Sequence, residues 1–464
     1  MTNNIRNINN FFYIFITSHL IFWTLTPSLV NQNLPLDTVE ALAWGSNLDW
    51  GFSKHPPMSA FFLEVFFQIF GSQDWAYYLL SQIFIIISFY YVFKFSKEIF
   101  NNSLLGLVSV LLIEAIYFYN FTTPEFNVNI CQLPFWSLTV YFSWKIYNNK
   151  VVRFTDCFLV GLFAAIGFLS KYLFVYLLIS IDLLFIYLIF IKKDRKFDFK
   201  YLITLEVFLI VLAPHLIWLN NNEFITIAYG LARTGLEQSS LIDHIKFPLT
   251  FLLKQIGLLI PFLILVWLLV NKIKFKFFFK DKKLIFLLAI NILPIFLMCL
   301  TSIVTGSKIR TMWMTPFYLF FGTFFIYLFK AQINIKKLKS FVFGFIFLFF
   351  LSPIFYTYVS ISKDNKRTDY EGKEIAELVE RRWGKNFSNE IMYVVGDEWH
   401  AGNLSYHLSN RPKWFLEIND KLESLDPKGG IVYTGNADFL KSLCPGDFGK
   451  IEKQWFCMIG IKNK

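Results

Sequence analysis

The sequence predicts an all-α polytopic membrane protein of about 11 transmembrane helices with a small C-terminal α/β domain, on three observations. Of 464 residues, 55% are hydrophobic and only 17% charged, where soluble domains carry about 25% charged residues. About eleven apolar runs have the length a bilayer crossing needs. After Ser362 the composition turns charged and mixed. The net charge of +11 does not point to nucleic acid, because the basic residues sit in short clusters between apolar runs. No basic face with exposed aromatics appears.

The apolar runs fall near 11–30, 75–95, 104–120, 128–147, 154–170, 172–191, 201–219, 248–270, 284–303, 313–329 and 340–361. The first continues from Asn10 to about Val30 with no small-residue cleavage site, so it reads as a span and not as a signal peptide. Lys and Arg set the orientation. Arg6 precedes the first run, and Lys94 and Lys97 follow the second. Lys145, Lys150 and Arg153 separate the fourth from the fifth. Lys192, Lys193, Arg195, Lys196 and Lys200 follow the sixth. Lys272, Lys274, Lys276, Lys280, Lys282 and Lys283 follow the eighth, and Lys330, Lys336, Lys337 and Lys339 the tenth. With the N-terminus inside, every one of these clusters is cytoplasmic. An odd number of spans then places the tail outside. Residues 1–361 are the expected transmembrane domain and 362–464 a soluble extracytoplasmic one.

Within the tail, 370–383 predict an amphipathic helix with Ile375, Leu378, Val379 and Trp383 on one face. Segments 391–396 and 430–434 predict strands. Cys131, Cys157 and Cys299 lie in apolar runs and read as small hydrophobes. Cys444 and Cys457 share the polar tail, where an oxidising compartment would permit a disulfide.

Candidate functional residues lie in the outer segments. The longest, about 31–74, contains L-P-L-D-T-V-E-A-L-A-W-G-S-N-L-D-W-G-F-S-K-H-P-P-M. Asp37 and Glu40 are three apart and share a helix face. Leu42, Trp44 and Leu48 suggest that this helix lies in the membrane interface, and Lys54-His55-Pro56-Pro57 stops it. A carboxylate there, near cations, suits general-base work on an acceptor hydroxyl. The plainer alternative is a helix cap. The segment T-G-S-K-I-R-T-M-W carries Lys308 and Arg310 against the charge rule, a pair suited to a lipid phosphate. A salt bridge to the tail or a contact with a lipid headgroup is its alternative. Lys171, between two apolar runs, is costly unless it has a task or snorkels to the surface. Glu125, Asn127, Asn129 and Gln132 put polar groups at the outer end of the fourth run, for sugar hydroxyls or, in Asn127, for a cap. His215, beside Pro214, reads more readily as structural. Asp397, Glu398 and His400 lack metal-ligand spacing. There is no Walker loop and no GxGxxG entering a helix, and the basic-side loops are too short to house a nucleotide-sugar domain.

Taken together, several stretches resemble one family. They are D-T-V-E-A-L-A-W-G with K-H-P-P-M, E-F-N-V-N-I-C-Q-L-P-F-W, G-F-L-S-K-Y, A-P-H-L-I-W-L, G-S-K-I-R-T-M-W-M-T-P, and R-T-D-Y-E-G with G-D-E-W-H-A-G-N. The chain resembles the bacterial, family 39-type glycosyltransferases of the protein O-mannosyltransferase superfamily, which includes the lipid A aminoarabinose transferases. The stretches span nearly the whole chain in the family's order. The resemblance implies a C-type glycosyltransferase fold in a bacterial inner membrane. It also implies a polyprenyl-phosphate sugar donor and inverting transfer of one hexosyl or pentosyl group. The acceptor would be lipid A, lipopolysaccharide core, another envelope glycan or a protein. Membrane lipids are the expected surroundings, with no nucleic-acid partner.

The family's catalytic acid falls on Asp37, with Glu40 as companion, and its phosphate-binding cations on Lys171, Lys308, Arg310 and Lys54. His55, Glu125, Asn127, Asn129 and His215 are the candidates for holding sugar and acceptor. Several relatives open the fourth span with a second acid. Here Asn127 and Asn129 stand there, with Glu125 just before, so the second carboxylate is left open. No cofactor is required, though the scheme accommodates a divalent metal. The rival class is a lipid or glycolipid flippase, which accounts for the spans and Lys171. It does not account for the acid-bearing loop or the tail, and the halves lack an inverted repeat. A ligase moving whole glycans is a third reading.

Overall fold

A computed structural model describes residues 2–235, 240–271, 280–417, 426 and 428–463. After the first helix, α1 (Thr2–Val30), the expected outer loop holds two short helices, α2 (Leu36–Gly45) and α3 (Met58–Phe70). Then come α4 (Asp74–Phe100), α5 (Ser103–Ile113), α6 (Val128–Cys131), α7 (Leu133–Asn148) and α8 (Phe154–Ser170). Next are α9 (Val175–Ile186), α10 (Tyr201–Asn221), α11 (Ile225–Thr234), α12 (Asp243–Leu258) and α13 (Ile260–Leu269). The bundle closes with α14 (Lys282–Asn291), α15 (Leu293–Thr305), α16 (Phe321–Phe329) and α17 (Leu338–Ser362).

Among the described residues, six helices are long and apolar enough to cross a membrane: Asn7–Val30, Asp74–Phe100, Tyr172–Ile191, Tyr201–Asn221, Lys282–Thr305 and Leu338–Ser362. Counting two bent pairs as spans makes eight; α12 meets α13 at 51°, and the turn Thr311–Tyr318 meets α16 at 56°. The other three of the eleven apolar runs are α5, α6 with α7, and α8. Of these, α7 is buried on nearly every side, so its polar residues face protein.

The basic clusters meet at one end of the bundle. Lys145 Nζ lies 2.6 Å from Glu98, and Lys283 Nζ donates to the Ile99 carbonyl at 2.6 Å. Tyr147 donates to the Lys282 carbonyl at 2.7 Å, and Arg195 donates to the Tyr147 carbonyl at 2.6 Å. Lys272, Lys274 and Lys276 lie outside the described residues.

The tail forms a five-stranded sheet of order β2-β1-β3-β5-β4. Its strands are β1 (Ile391–Val395), β2 (Lys413–Phe415), β3 (Gly430–Gly435), β4 (Asp447–Ile451) and β5 (Gln454–Ile459). β1 runs parallel to β2 and β3, while β5 is antiparallel to β3 and β4. Its helices are α18 (Gly372–Asn386), α19 (His400–His407) and α20 (Ala437–Leu443). As expected, α18 buries Ile375, Val379 and Trp383, with Leu378 half-buried beside them. A disulfide joins Cys444 to Cys457.

The sheet unit sits on the first loop. Asn33 donates to Asn403 at 2.9 Å, and its Oδ1 accepts from His407 Nε2 at 3.1 Å. A Cβ on Gly402 would come 3.1 Å from the Ala43 methyl, so α19 crosses α2 closely. Arg411 Nη2 reaches the Leu42 carbonyl at 2.6 Å and Glu64 Oε2 at 2.7 Å, over the Phe67 ring. This cover also changes the expectation for α2. Leu42 and Trp44 are buried against protein, not laid in an interface. Leu48 lies beyond the helix at φ +49, exposed.

The Arg411–Glu64 pair has side chains only 11% and 6% exposed. Arg411→Ala leaves the Glu64 carboxylate buried without its cation, which costs about 3 kcal/mol. Thermal unfolding of the detergent-solubilised protein should show this loss. Proteolysis should cut the tail sooner than in wild type. Unchanged melting and unchanged cleavage would mean that this ion pair does not hold the tail.

Candidate functional site

Pro35, extended at φ −63 and ψ 162, turns the chain into α2 without a side-chain cap of its own. The capping is done from another segment. Glu125 Oε1 accepts the Asp37 N–H at 3.1 Å, and the Thr38 hydroxyl donates to the Phe126 carbonyl at 3.1 Å. A carboxylate at a helix N-terminus satisfies an orphan donor and favours the helix dipole. The capping role considered for Asp37 therefore belongs to Glu125. The Asp37 carboxylate itself has no hydrogen-bond partner among the described residues. It lines a small cavity of about 20 Å³ with Glu40, Trp44, His55, Ser59 and Asn127, room for about one water.

Burial pushes the Asp37 carboxyl above its ordinary range, and four cations oppose it: Lys171, Lys54, Arg233 and Arg367, in that order. Burial also raises Glu125, and the charge of Asp37 raises it further. Two acids this close do not both ionise readily, so Glu125 is the one that retains a proton. Glu40 is raised by burial, against the pull of Lys54. His55 is pushed down to about 3 by burial and then by Lys171, Lys54 and Arg233. At neutral pH its ring is therefore an uncharged hydrogen-bonding group.

The helix break after α8 puts Lys171 in extended backbone at φ −163. Its ammonium donates to Asn129 Oδ1 and lies 5.7 Å from the Trp313 ring. Lys171 is 7% exposed, so it does not snorkel out of the protein. Lys54 bridges two carboxylates, Glu40 at 3.0 Å and Glu398 at 3.1 Å. Glu398 thus brings the tail to the site. Its neighbours Asp397 and His400 pair with each other at 2.7 Å. Among the described residues no three His, Cys, Asp or Glu side chains gather as a metal would require.

Not every expected residue joins this cluster in the same way. Asn127 caps α6, accepting from the Asn129 N–H at 2.9 Å. His215 is held on both ring nitrogens, by Tyr172 Oη at 2.7 Å and the Trp50 carbonyl at 2.6 Å, which makes it a brace between α10 and the first loop. Gln132 is fully buried, and neither of its side-chain polar atoms is hydrogen-bonded among the described residues. Lys308 is exposed, and its N–H donates to the Thr234 carbonyl at 2.9 Å, next to Arg233. The side chains of Lys308 and Arg310 have no partner among the described residues, so no bridge from them to the tail forms there. Lys171, Lys54, Arg233 and Arg367 act on Asp37 more strongly than either of them. The sequence analysis missed Arg233 and Arg367, although Arg367 opens the R-T-D-Y-E-G stretch. Both are cations in outer segments, the same signal that singled out Lys308 and Arg310.

Over 97% of its length the chain shares the fold of ArnT from Cupriavidus metallidurans. The crystal structure of that protein bound to undecaprenyl phosphate matches with a TM-score of 0.63 at 10% identity, over 98% of its chain. The apo structure matches with a TM-score of 0.64 at the same identity and coverage. The architecture is that of the polytopic C-type membrane glycosyltransferases. Residues 54–218 match the family model described as dolichyl-phosphate-mannose-protein mannosyltransferase. That model covers 54–218 of the 464 residues, and the likeness to ArnT is one of fold. No curated relative matches the sequence.

The pH dependence of activity reads the charge balance. If Asp37 serves as a base it must be ionised, and activity then falls as pH drops through its raised pKa. Lys54→Gln removes a cation that favours the ionised form, and the acid limb of kcat/KM moves up by roughly half a pH unit. Glu125→Gln keeps an oxygen for the Asp37 N–H and, with Glu125 already uncharged there, leaves the limb where it is. A Lys54→Gln acid limb that coincides with wild type would exclude Asp37 as the titrating group.

Proposed function

We propose that this protein is an inverting glycosyltransferase. In this reading it moves one sugar from a polyprenyl-phosphate donor to a cell-envelope acceptor at the outer face of a bacterial inner membrane. The observation that carries the reading is the half-buried Asp37 carboxylate, free of hydrogen bonds, beside a cavity and facing Lys171, Lys54, Arg233 and Arg367. The undecaprenyl phosphate in the matching ArnT structure suggests which donor such cations would meet.

The reaction balances as a single displacement. An acceptor hydroxyl oxygen attacks the anomeric carbon from the face opposite the phosphate. The bond from that carbon to the phosphate oxygen breaks, and polyprenyl phosphate leaves with the electron pair. The hydroxyl proton passes to Asp37. Lys171, with Lys54 and the two arginines, stabilises the negative charge that grows on the departing phosphate. Lys308 and Arg310, near Arg233, take the phosphate at the rim. Glu125, protonated, holds the start of α2, and neutral His55 with Asn127 and Asn129 orients hydroxyls.

The basic loops gathered at one end of the bundle support a cytoplasmic N-terminus. The Cys444–Cys457 bridge supports a tail in an oxidising compartment. On this reading 1–361 form the membrane-embedded catalytic domain and 362–464 its periplasmic cover. The acceptor is lipid A, lipopolysaccharide core, another glycan or a protein.

Asp37→Asn should lower transfer from a radiolabelled polyprenyl-phosphate monosaccharide by about 10²–10⁴-fold in membranes, at normal protein level. Near-wild-type release of polyprenyl phosphate would remove Asp37 from the chemistry. Transbilayer movement of an uncleaved donor would replace the transferase with a flippase.

A further inference from the structure

A second polar cavity lies at the other end of the bundle, where α7 ends and α8 begins. The 16 residues of α7 put it about 24 Å from the Asp37 end of that helix, at 1.5 Å per residue. Its volume is about 690 Å³, within the roughly 300–1,000 Å³ of ligand sites. Five Lys and Arg side chains line it against two Asp, an excess of three positive charges. One acid is already answered: Asp194 is shared by Lys192 at 2.9 Å and Lys282 at 3.7 Å.

Arg195 is fixed in the wall by the Tyr147 carbonyl at 2.6 Å and by the Asn149 carbonyl. Lys150 and Lys196 are exposed and have no hydrogen-bond or ion-pair partner among the described residues. Trp144, Tyr147 and Tyr201 supply aromatic walls. Aromatic rings beside lysines where apolar helices end are the chemistry of a lipid headgroup region. Basic recesses between spanning helices suit anionic headgroups.

We propose that this cavity binds the phosphate of an anionic membrane lipid, with Lys150 and Lys196 as its two free cations and Arg195 as the preset wall. The site is independent of the chemistry assigned to Asp37. Two lipid sources carry that phosphate, an anionic glycerophospholipid and a polyprenyl phosphate, and the test separates them.

The full chain, purified in detergent, is titrated with phosphatidylglycerol, phosphatidylcholine and polyprenyl phosphate and followed by native mass spectrometry. Wild type should retain an anionic lipid in preference to phosphatidylcholine, and the favoured one of the two names the source. Near a membrane surface each lysine is worth about 1 kcal/mol to an anionic lipid, about fivefold in affinity. Lys150→Gln with Lys196→Gln should therefore weaken the anionic lipid by roughly 25-fold if the two add. Lys373→Gln, in α18 of the tail, should leave binding unchanged. Both cavity lysines are exposed, so melting should match wild type and loss of lipid cannot be laid to unfolding. Equal retention by the double variant, or no preference over phosphatidylcholine, overturns the proposal. Displacement of the lipid by millimolar inorganic phosphate overturns the lipid as ligand and reassigns the cavity to soluble phosphate.

Discussion

An unpaired carboxylate held below the protein surface is tolerable only when surrounding cations answer it, and much of this structure arranges those cations around Asp37. They arrive from four separate segments. Lys54 lies between α2 and α3, Lys171 sits at the break after α8, Arg233 is in the last turn of α11, and Arg367 lies in the tail between α17 and α18. Lys171 and Arg233 come from helix ends, and Lys54 and Arg367 from connecting segments, where the backbone can turn a long side chain inward. The same logic places Glu125. Its carboxyl group lies at the N-terminus of α2, where it accepts an N–H that the helix itself leaves unpaired.

The membrane class was legible because hydrophobic length and basic clustering are one-dimensional signals. Every apolar run named from the sequence contains helix, and the clusters of Lys and Arg do converge on one end. Breaks inside the runs were not legible. Pro261 marks the bend between α12 and α13, but an apolar run long enough to span hides it, and nothing in the run announces the stop of α5 at Ile113. In the tail, α18, β1 and β3 carried clear periodicity. β2 has three residues and β4 reads D-F-G-K-I, too short or too mixed to stand out.

The candidate site was legible as an inventory of residue types and less so as an arrangement. Asp37, Glu40, Lys54, His55, Glu125, Asn127 and Lys171 do come together. Which acid caps and which is left free was not readable, since that depends on Glu125 crossing 88 residues to the Asp37 N–H. Glu398 was weighed only as a metal ligand, and its bond to Lys54 is a tertiary fact. His215 was singled out for its chemistry, and the two bonds on its ring make it a brace.

The side chain of Asn33 meets Asn403 across 370 residues, and this separation has a consequence for biogenesis. At ribosomal speeds of about 5–20 residues per second, the first loop waits roughly 20 to 75 s for the helix that will cover it. During that interval the apolar face of α2 has no lid. A chain whose translation stalls within the last hundred residues would present that bare surface to membrane-associated chaperones and proteases, even with all its spanning helices in place.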